Sequence, residues 1–162
     1  MKKLLSGILL LGWIPTLAVV MGANWITGVP VFGQARTPIK ITRIFTGPDG
    51  KTKLEEFDVP LKAGGTGTEI SELVGATSVQ FRRTNQDYSL DWHPAPRRQF
   101  VVTLAGESEI ELEGGKKVRL GPANILLAED TTGQGHISRA VTGSKDRISM
   151  TIPLADGAKV PR

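Results

Sequence analysis

The sequence predicts an all-β domain, closed as a barrel or jelly roll, behind an N-terminal export segment. Three observations predict it. Gly 19 and Pro 10 in 162 residues place a break at about every sixth position, which suits short strands joined by turns better than long helices. Short runs of alternating or β-branched residues recur from Ile39 to Leu154, as strands require. Hydrophobic residues make up 40% and charged residues 22%, against roughly 45–50% and about 25% in average chains, so the protein is neither disordered nor a multi-span membrane protein. The length fits one domain.

The first element is the export segment. Lys2-Lys3 precedes an apolar run from Leu4 to Ala23, and no further charge appears before Arg36. A positive end followed by an apolar stretch reads as an export signal, with the remainder of the chain on the far side of the membrane. Gly33-Gln34-Ala35 offers small residues where a signal peptidase reads, and Val20-Met21-Gly22 is a second candidate. Cleavage is the preferred reading. An uncleaved anchor is the alternative, since the 32 uncharged residues from Leu4 to Ala35 exceed the roughly 20 that span a bilayer. The chain thus divides into residues 1–35, a signal peptide or membrane anchor, and residues 36–162, a β-barrel domain. The domain is expected to be periplasmic or secreted, and to touch the membrane only if the anchor stays.

In the exported domain, Ile39 to Phe45 reads as a strand ending at the turn Gly47-Pro48-Asp49-Gly50. Lys53 to Leu61 is a second extended stretch, Gly64-Gly65-Thr66-Gly67 a flexible loop, and Ile70 to Leu73 one short helical turn. Thr77 to Thr84 alternates as a strand, with Val79 and Phe81 on one face and Gln80 and Arg82 on the other. Arg98 to Leu104 is rich in β-formers. Ser108 to Glu113 has strict period two, placing Ile110 and Leu112 inside and Glu109, Glu111 and Glu113 on a solvated face rather than around calcium. Gly114-Gly115 turns the chain into Lys117 to Leu120, Gly121-Pro122 turns it again, and Ile125 to Ala128 is a short buried strand. His136 to Val141 and Arg147 to Leu154 complete the series. This many short strands favours closure over a sandwich with open edges.

Composition also excludes functions. Removing residues 1–35 takes away Lys2 and Lys3 and no acid, so the net charge falls from +4 to +2. The basic pairs Arg82-Arg83, Arg97-Arg98 and Lys116-Lys117 have no interleaved aromatics, so no nucleic-acid partner is expected. Cysteine is absent, which in an oxidising compartment means that the core alone holds the fold. No thiol nucleophile, Ser-His-Asp order, phosphate-binding loop or dinucleotide fingerprint is present.

The two histidines, His93 and His136, each sit at the mouth of a strand beside a turn. Imidazoles converging in a barrel are a common basis for metal binding. A structural role for each is the alternative.

The run Asp91-Trp92-His93-Pro94-Ala95-Pro96-Arg97-Arg98-Gln99-Phe100-Val101-Val102, ending in Leu104-Ala105-Gly106, resembles the first motif of the cupin superfamily. Glu129-Asp130-Thr131-Thr132-Gly133-Gln134-Gly135-His136 resembles the end of the second. The resemblance spans residues 80–154 and is closest to small single-domain bacterial cupins of unassigned activity. It implies a double-stranded β-helix, or jelly roll, that in many members binds a divalent metal, and it implies homodimerisation through strands. His93 matches the first motif's first histidine, Ala95 replaces the second, and Gln99 stands at the glutamate. Gly133 and His136 keep the second motif's glycine-to-histidine spacing, while its proline and terminal asparagine are missing.

The implied metal set is His93, Gln99 and His136. Positions 93, 95 and 99 share strand parity, but two imidazoles and an amide bring no negative charge, so such a site is weak. Glu129 or Asp130, as ligand or acid/base, would complete a two-histidine, one-carboxylate set. A turn-forming role is the alternative for Asp130. Arg97 shares the inward parity and could clamp a carboxylate or phosphate, with a surface ion pair for Arg97 or Arg98 to Asp91 or Glu129 as its alternative. Trp92 and Tyr88 are expected to cover the barrel end, Trp92 with ligand stacking as a further role. The expectation is a small-molecule-binding barrel, with a weakly held divalent metal (Fe, Mn, Ni, Cu or Zn) as cofactor. The alternative is a metal-dependent enzyme of dioxygenase or isomerase type.

Overall fold

The computed structural model describes residues 36–162; the expected export segment 1–35 lies outside the described residues. Twelve strands occupy them: β1 Lys40–Thr46, β2 Thr52–Asp58, β3 Lys62–Gly65, β4 Thr68–Ile70, β5 Gln80–Thr84, β6 Ser89–His93, β7 Gln99–Ala105, β8 Ser108–Glu111, β9 Lys117–Leu120, β10 Ile125–Glu129, β11 His136–Ala140 and β12 Arg147–Pro153. A six-stranded sheet runs β2-β1-β10-β7-β12-β5, a four-stranded sheet runs β6-β11-β8-β9, and β3-β4 is a separate hairpin. This is the jelly-roll barrel that the sequence predicts. No helix of the described residues is long and apolar enough to cross a membrane.

Local chemistry explains the turns. Gly47-Pro48-Asp49-Gly50 closes the β1–β2 hairpin with Gly50 N–H donating to Gly47 C=O at 3.0 Å, and Lys53 pairs with Asp49 across it at 2.7 Å. In β8 the period-two pattern lands as expected. Ile110 and Leu112 are buried, while Glu109 takes a hydrogen bond from Lys117 at 2.9 Å on the outer face. Two expectations fail near Gly64. Gly64 and Gly65, expected within a flexible loop over 64–67, instead end the strand Lys62–Gly65, which folds back on Thr68–Ile70 and leaves Thr66-Gly67 as the turn. The helical turn expected over Ile70 to Leu73 does not form, since Ile70 is committed to that hairpin and Leu73, 97% exposed, has nothing to pack against.

The core lies between the two sheets. Ile44, Leu126 and Ala128 from the large sheet meet Ile110 and Leu120 from the small one, each large side chain contributing about 1.5–3 kcal/mol of burial. A second cluster, built on Ile41, Leu127 and Leu154, lies on the outer face of the large sheet under Val59, Val74 and Val160. Both faces of that sheet therefore carry apolar side chains, and β10 reads as a continuous apolar run for that reason.

Toward β7, β12 and β5 the polarity inverts. Arg147, Ser149 and Thr151 of β12 are buried, whereas Phe81, Leu104 and Ile148 on the alternate positions are exposed. Here the polar side of the sheet faces the barrel and the apolar side faces out, the opposite of a one-sided soluble sheet. An interior built this way contains a polar chamber as well as a core.

Candidate functional site

His93 ends β6 and His136 opens β11, and the antiparallel pairing sets the two residues directly opposite one another. Their ring centroids are 4.5 Å apart, with the planes at 52°. Gly135 makes this approach feasible. Its φ is +76°, and a Cβ there would fall 1.9 Å from the carbonyl oxygen of His93, far inside contact distance, so only glycine brings β11 this near.

Each ring is oriented through Nδ1. His93 Nδ1 lies 2.7 Å from the backbone carbonyl of Asp91, an obligate acceptor, so Nδ1 carries the proton. His136 Nδ1 lies 2.6 Å from Asp130 Oδ2 and donates likewise. Asp130 is fully buried. It also accepts from Thr52 Oγ1 at 3.0 Å, and its backbone carbonyl accepts from Ala95 N–H at 2.9 Å. Asp130 thus links β2 and His136 through its carboxylate, and the loop after His93 through its backbone carbonyl. Both rings line one cavity, and with Nδ1 engaged each has Nε2 left for a further partner.

That cavity is about 90 Å³ and lies between the two sheets. His93, His136 and Gln99, at the start of β7, form part of its wall, and Val101, Leu120 and Leu126 form an apolar part. Tyr88, Ser108, Ser138, Arg82 and Arg147 are its other polar lining residues, and among the described residues no aspartate or glutamate lines it. Burial, helped by the nearby charge of Arg82, pushes the Arg147 guanidinium down to about 10, which leaves it protonated at neutral pH. A larger apolar groove of about 290 Å³ lies on the outer face of the large sheet between Ile39, Leu61, Phe100 and Ile152. Its wall is mainly apolar, with Glu69 and Ser71 as polar side chains and no histidine or arginine, whereas both histidines line the smaller cavity.

The structure brings His93, Gln99 and His136 to one cavity and takes the other named residues elsewhere. Glu129, one residue beyond Ala128 on β10, points to the opposite face. There Arg43 Nε donates to its Oε2 at 2.5 Å and Arg98 Nε to its Oε1 at 2.9 Å. Burial alone would raise the Glu129 carboxyl, but hydrogen bonds from Arg98 and Arg43 outweigh it and hold it below the usual carboxylate range. Asp130 stands behind His136 rather than beside it. Neither carboxylate lines the cavity, which corrects the expectation that one of them would complete a ligand set. Arg97 is exposed and absent from the cavity wall, because the Pro94–Arg98 loop precedes β7 and does not hold strand parity. Trp92, 38% exposed, covers no part of the cavity, whereas Tyr88 does line it.

Arg147, Arg82 and Ser108 were not singled out from the sequence as site residues. The signal lay in Arg147-Ile148-Ser149-Met150-Thr151-Ile152, a strict alternation whose polar side is the interior one here. Among the described residues no three His, Asp or Glu side chains gather as a metal-binding group. A divalent metal would meet two neutral imidazole nitrogens and the Gln99 amide, in a wall that carries guanidiniums and no carboxylate. Those residues fit such an ion only weakly.

No family model matches the chain, and no curated protein matches it either. The solved structures similar to it include the following three. A conserved protein of unknown function from Streptococcus pyogenes has TM-score 0.36 and 14% identity over 48% of this chain; the chain spans 64% of that protein's length. A protein from Neisseria meningitidis has TM-score 0.38 and 10% identity, over 56% of this chain and 91% of the other. An RmlC-like cupin protein from Desulfovibrio desulfuricans has TM-score 0.35 and 20% identity, over 50% of this chain and 80% of the other.

Proposed function

We propose that the chain is an exported single-domain cupin that binds a small molecule inside its barrel. The observation that carries this reading is the pair His93 and His136, opposed across two strands with ring centroids 4.5 Å apart and planes tilted at 52°, and with both Nδ1 atoms already engaged. Two rings fixed through Nδ1 on the wall of one cavity are groups placed to receive something. The guest is small, since about 90 Å³ lies well under the roughly 300–1,000 Å³ of pockets for drug-sized ligands. Export rests on Lys2-Lys3 and the uncharged run to Ala35.

The two histidines also supply the test. Histidine-selective ¹⁵N labelling of the full chain, without a histidine tag, reports on His93 and His136 alone. Screening small carboxylates, polyols and amines should find a class that shifts both rings together in a saturable way. If no class moves both rings, the binding reading falls.

A weakly held divalent metal at His93, His136 and Gln99 is the second reading. Asp130 behind His136 supports it, because a carboxylate on the distal ring nitrogen is the usual partner of a metal-bound imidazole. Titrated with Mn²⁺ or Zn²⁺, the native chain should bind more weakly than about micromolar, and Gln99→Glu, which adds the missing negative charge, should tighten binding at least about tenfold. Unchanged affinity in Gln99→Glu would sink this reading. Enzyme chemistry of dioxygenase or isomerase type has less support, since it needs a carboxylate ligand that Glu129 and Asp130 do not provide.

Homodimerisation is supported by the outer face of the large sheet, where Phe81 is 73% exposed and Leu104 47%. An apolar sheet face of this kind is normally covered. Sedimentation should show a dimer that Phe81→Glu converts to monomer; a native chain that sediments as a monomer would exclude it.

A further inference from the structure

We propose that the barrel cavity is a site for a small carboxylate, gripped by the Arg147 guanidinium and the Ser108 hydroxyl, with Arg82 and Tyr88 at the same wall. The proposal rests on the small-molecule reading above and names the chemical class of its ligand.

Arg147 is the first observation. It is 8% exposed and, among the described residues, it takes part in no ion pair. Its Nε and Nη2 both fall on one neutral acceptor, Thr103 Oγ1, at 3.3 and 3.1 Å, and no hydrogen bond uses its Nη1. The partly buried arginines elsewhere are treated differently. Arg43 meets Glu55 and Glu129, Arg98 meets Glu129, and Arg139 meets Glu111. A buried guanidinium without an acid is costly unless an anion reaches it. Arg147 lines the cavity, from which such an anion can reach it.

Ser108 is the second and independent observation. Its residue is 5% exposed, it lines the same cavity, and its Oγ is buried with no hydrogen-bond partner. Buried hydroxyls are nearly always satisfied, so this one is placed for an acceptor that arrives from the cavity. A carboxylate supplies four lone-pair directions and matches the planar guanidinium fork.

The remaining wall agrees in sign. Arg82, exposed on its outer side, lines the cavity and sits 5.4 Å from the Tyr88 ring, adding a second positive charge to a wall that holds no carboxylate of its own; Asp146 shares the adjoining pocket with both. Burial first, and the charge of Arg82 second, push Arg147 down to about 10, as desolvation and a like charge both disfavour the charged form. Gly106 lets the wall close: a Cβ there would lie 2.8 Å from Arg147 Cα. The small volume selects a carboxylate of a few heavy atoms, whose far end meets Nε2 of His93 and His136. Those nitrogens accept a hydrogen bond, so a hydroxyl on the ligand suits them.

The test titrates the full chain at constant ionic strength with glycolate, inorganic phosphate and uncharged ethylene glycol, following the two histidine rings and the thermal midpoint. Glycolate should shift both rings and raise the midpoint, phosphate should bind at least tenfold more weakly, and ethylene glycol should do neither. Arg147→Lys should weaken glycolate at least tenfold, because an ammonium cannot fork onto a carboxylate. Ser108→Ala should weaken it severalfold while leaving the unliganded midpoint unchanged or higher, since an unsatisfied buried hydroxyl has been removed. That pairing separates a binding role from a packing role, and it stands if the Arg147 variant fails to fold. Arg97→Ala, on the surface, should bind as the native chain does. Phosphate binding as tightly as glycolate would overturn the carboxylate assignment, as would undiminished glycolate binding in Ser108→Ala. Rings that respond to ethylene glycol but not to glycolate would overturn the anion site and leave the small-molecule reading standing. Rings that respond to nothing in the panel or in the wider screen would remove both.

Discussion

His136 gives its Nδ1 proton to Asp130 at 2.6 Å, and Asp130, fully buried, has no other function in the cavity than to aim that ring. The same carboxylate group accepts from Thr52, so the β1–β2 hairpin reaches the site through it. Positioning of this kind makes Asp130 a residue that acts through His136, without contact to the cavity.

Asp130→Ala is therefore expected to do two separable things. It leaves the His136 Nδ1–H and the Thr52 hydroxyl without their acceptor, at about 1–3 kcal/mol for each orphaned group, so urea unfolding should show a loss of at least about 2 kcal/mol. It also frees the tautomer of His136, and ring ¹⁵N shifts should change from a fixed Nδ1–H form to a mixture, while His93, tied to the Asp91 carbonyl, keeps its tautomer. A destabilised variant whose His136 tautomer is unchanged would show that Asp130 is only a packing residue.

Gly135→Ala tests the close approach of β11 to β6. The left-handed φ of +76° and a Cβ position 1.9 Å from the His93 carbonyl act together. The first costs about 1–3 kcal/mol in any non-glycine residue, and the second forces the strands apart. Gly114 is the matched control, with φ +81° and nothing within 4 Å of its would-be Cβ. Gly114→Ala should show the conformational cost alone, whereas Gly135→Ala should cost more and should also shift both histidine ring signals. Equal destabilisation in the two variants would mean that the strands have room to spare.

Much of this was legible beforehand, and the exceptions share a cause. Period two in Ser108–Glu113 gave the correct inward face because that strand has one wet side, and the spacing of His93 and His136 anticipated one cavity. Arg147 was hidden by the same rule. Its strand alternates equally well, but the apolar residues Ile148 and Ile152 lie on the outer face and the polar ones inside, and alternation alone does not say which side is the interior. Glu129 failed for a parity reason: β10 carries Leu126 and Ala128 inward, so its next residue points out, and the chain turns back in only at Asp130. Arg97 lies in a proline-flanked loop, where strand parity does not extend.

The displaced carboxylate of Glu129 has a consequence for acid stability. Hydrogen bonds from Arg98 and Arg43, working against burial, hold its carboxyl below the usual value of 4.5. A group that takes up a proton less readily folded than unfolded stabilises the fold fully above its unfolded pKa, and that contribution disappears as pH falls through the lower, folded one. The native chain should lose stability on acidification from about pH 5 to pH 3, partly through this residue. Glu129→Gln should be less stable than the native chain at pH 7, since Arg43 and Arg98 lose the negative charge they share and one of its two oxygens becomes an NH2 donor. At pH 3 the two should converge, because the native glutamate is then becoming neutral as well. Urea midpoints for both proteins at the two pH values decide it: a gap that stays constant would place the acid sensitivity in other carboxylates, with Asp49 and Glu111, also held low by hydrogen bonds from Lys53 and Arg139, the next to test.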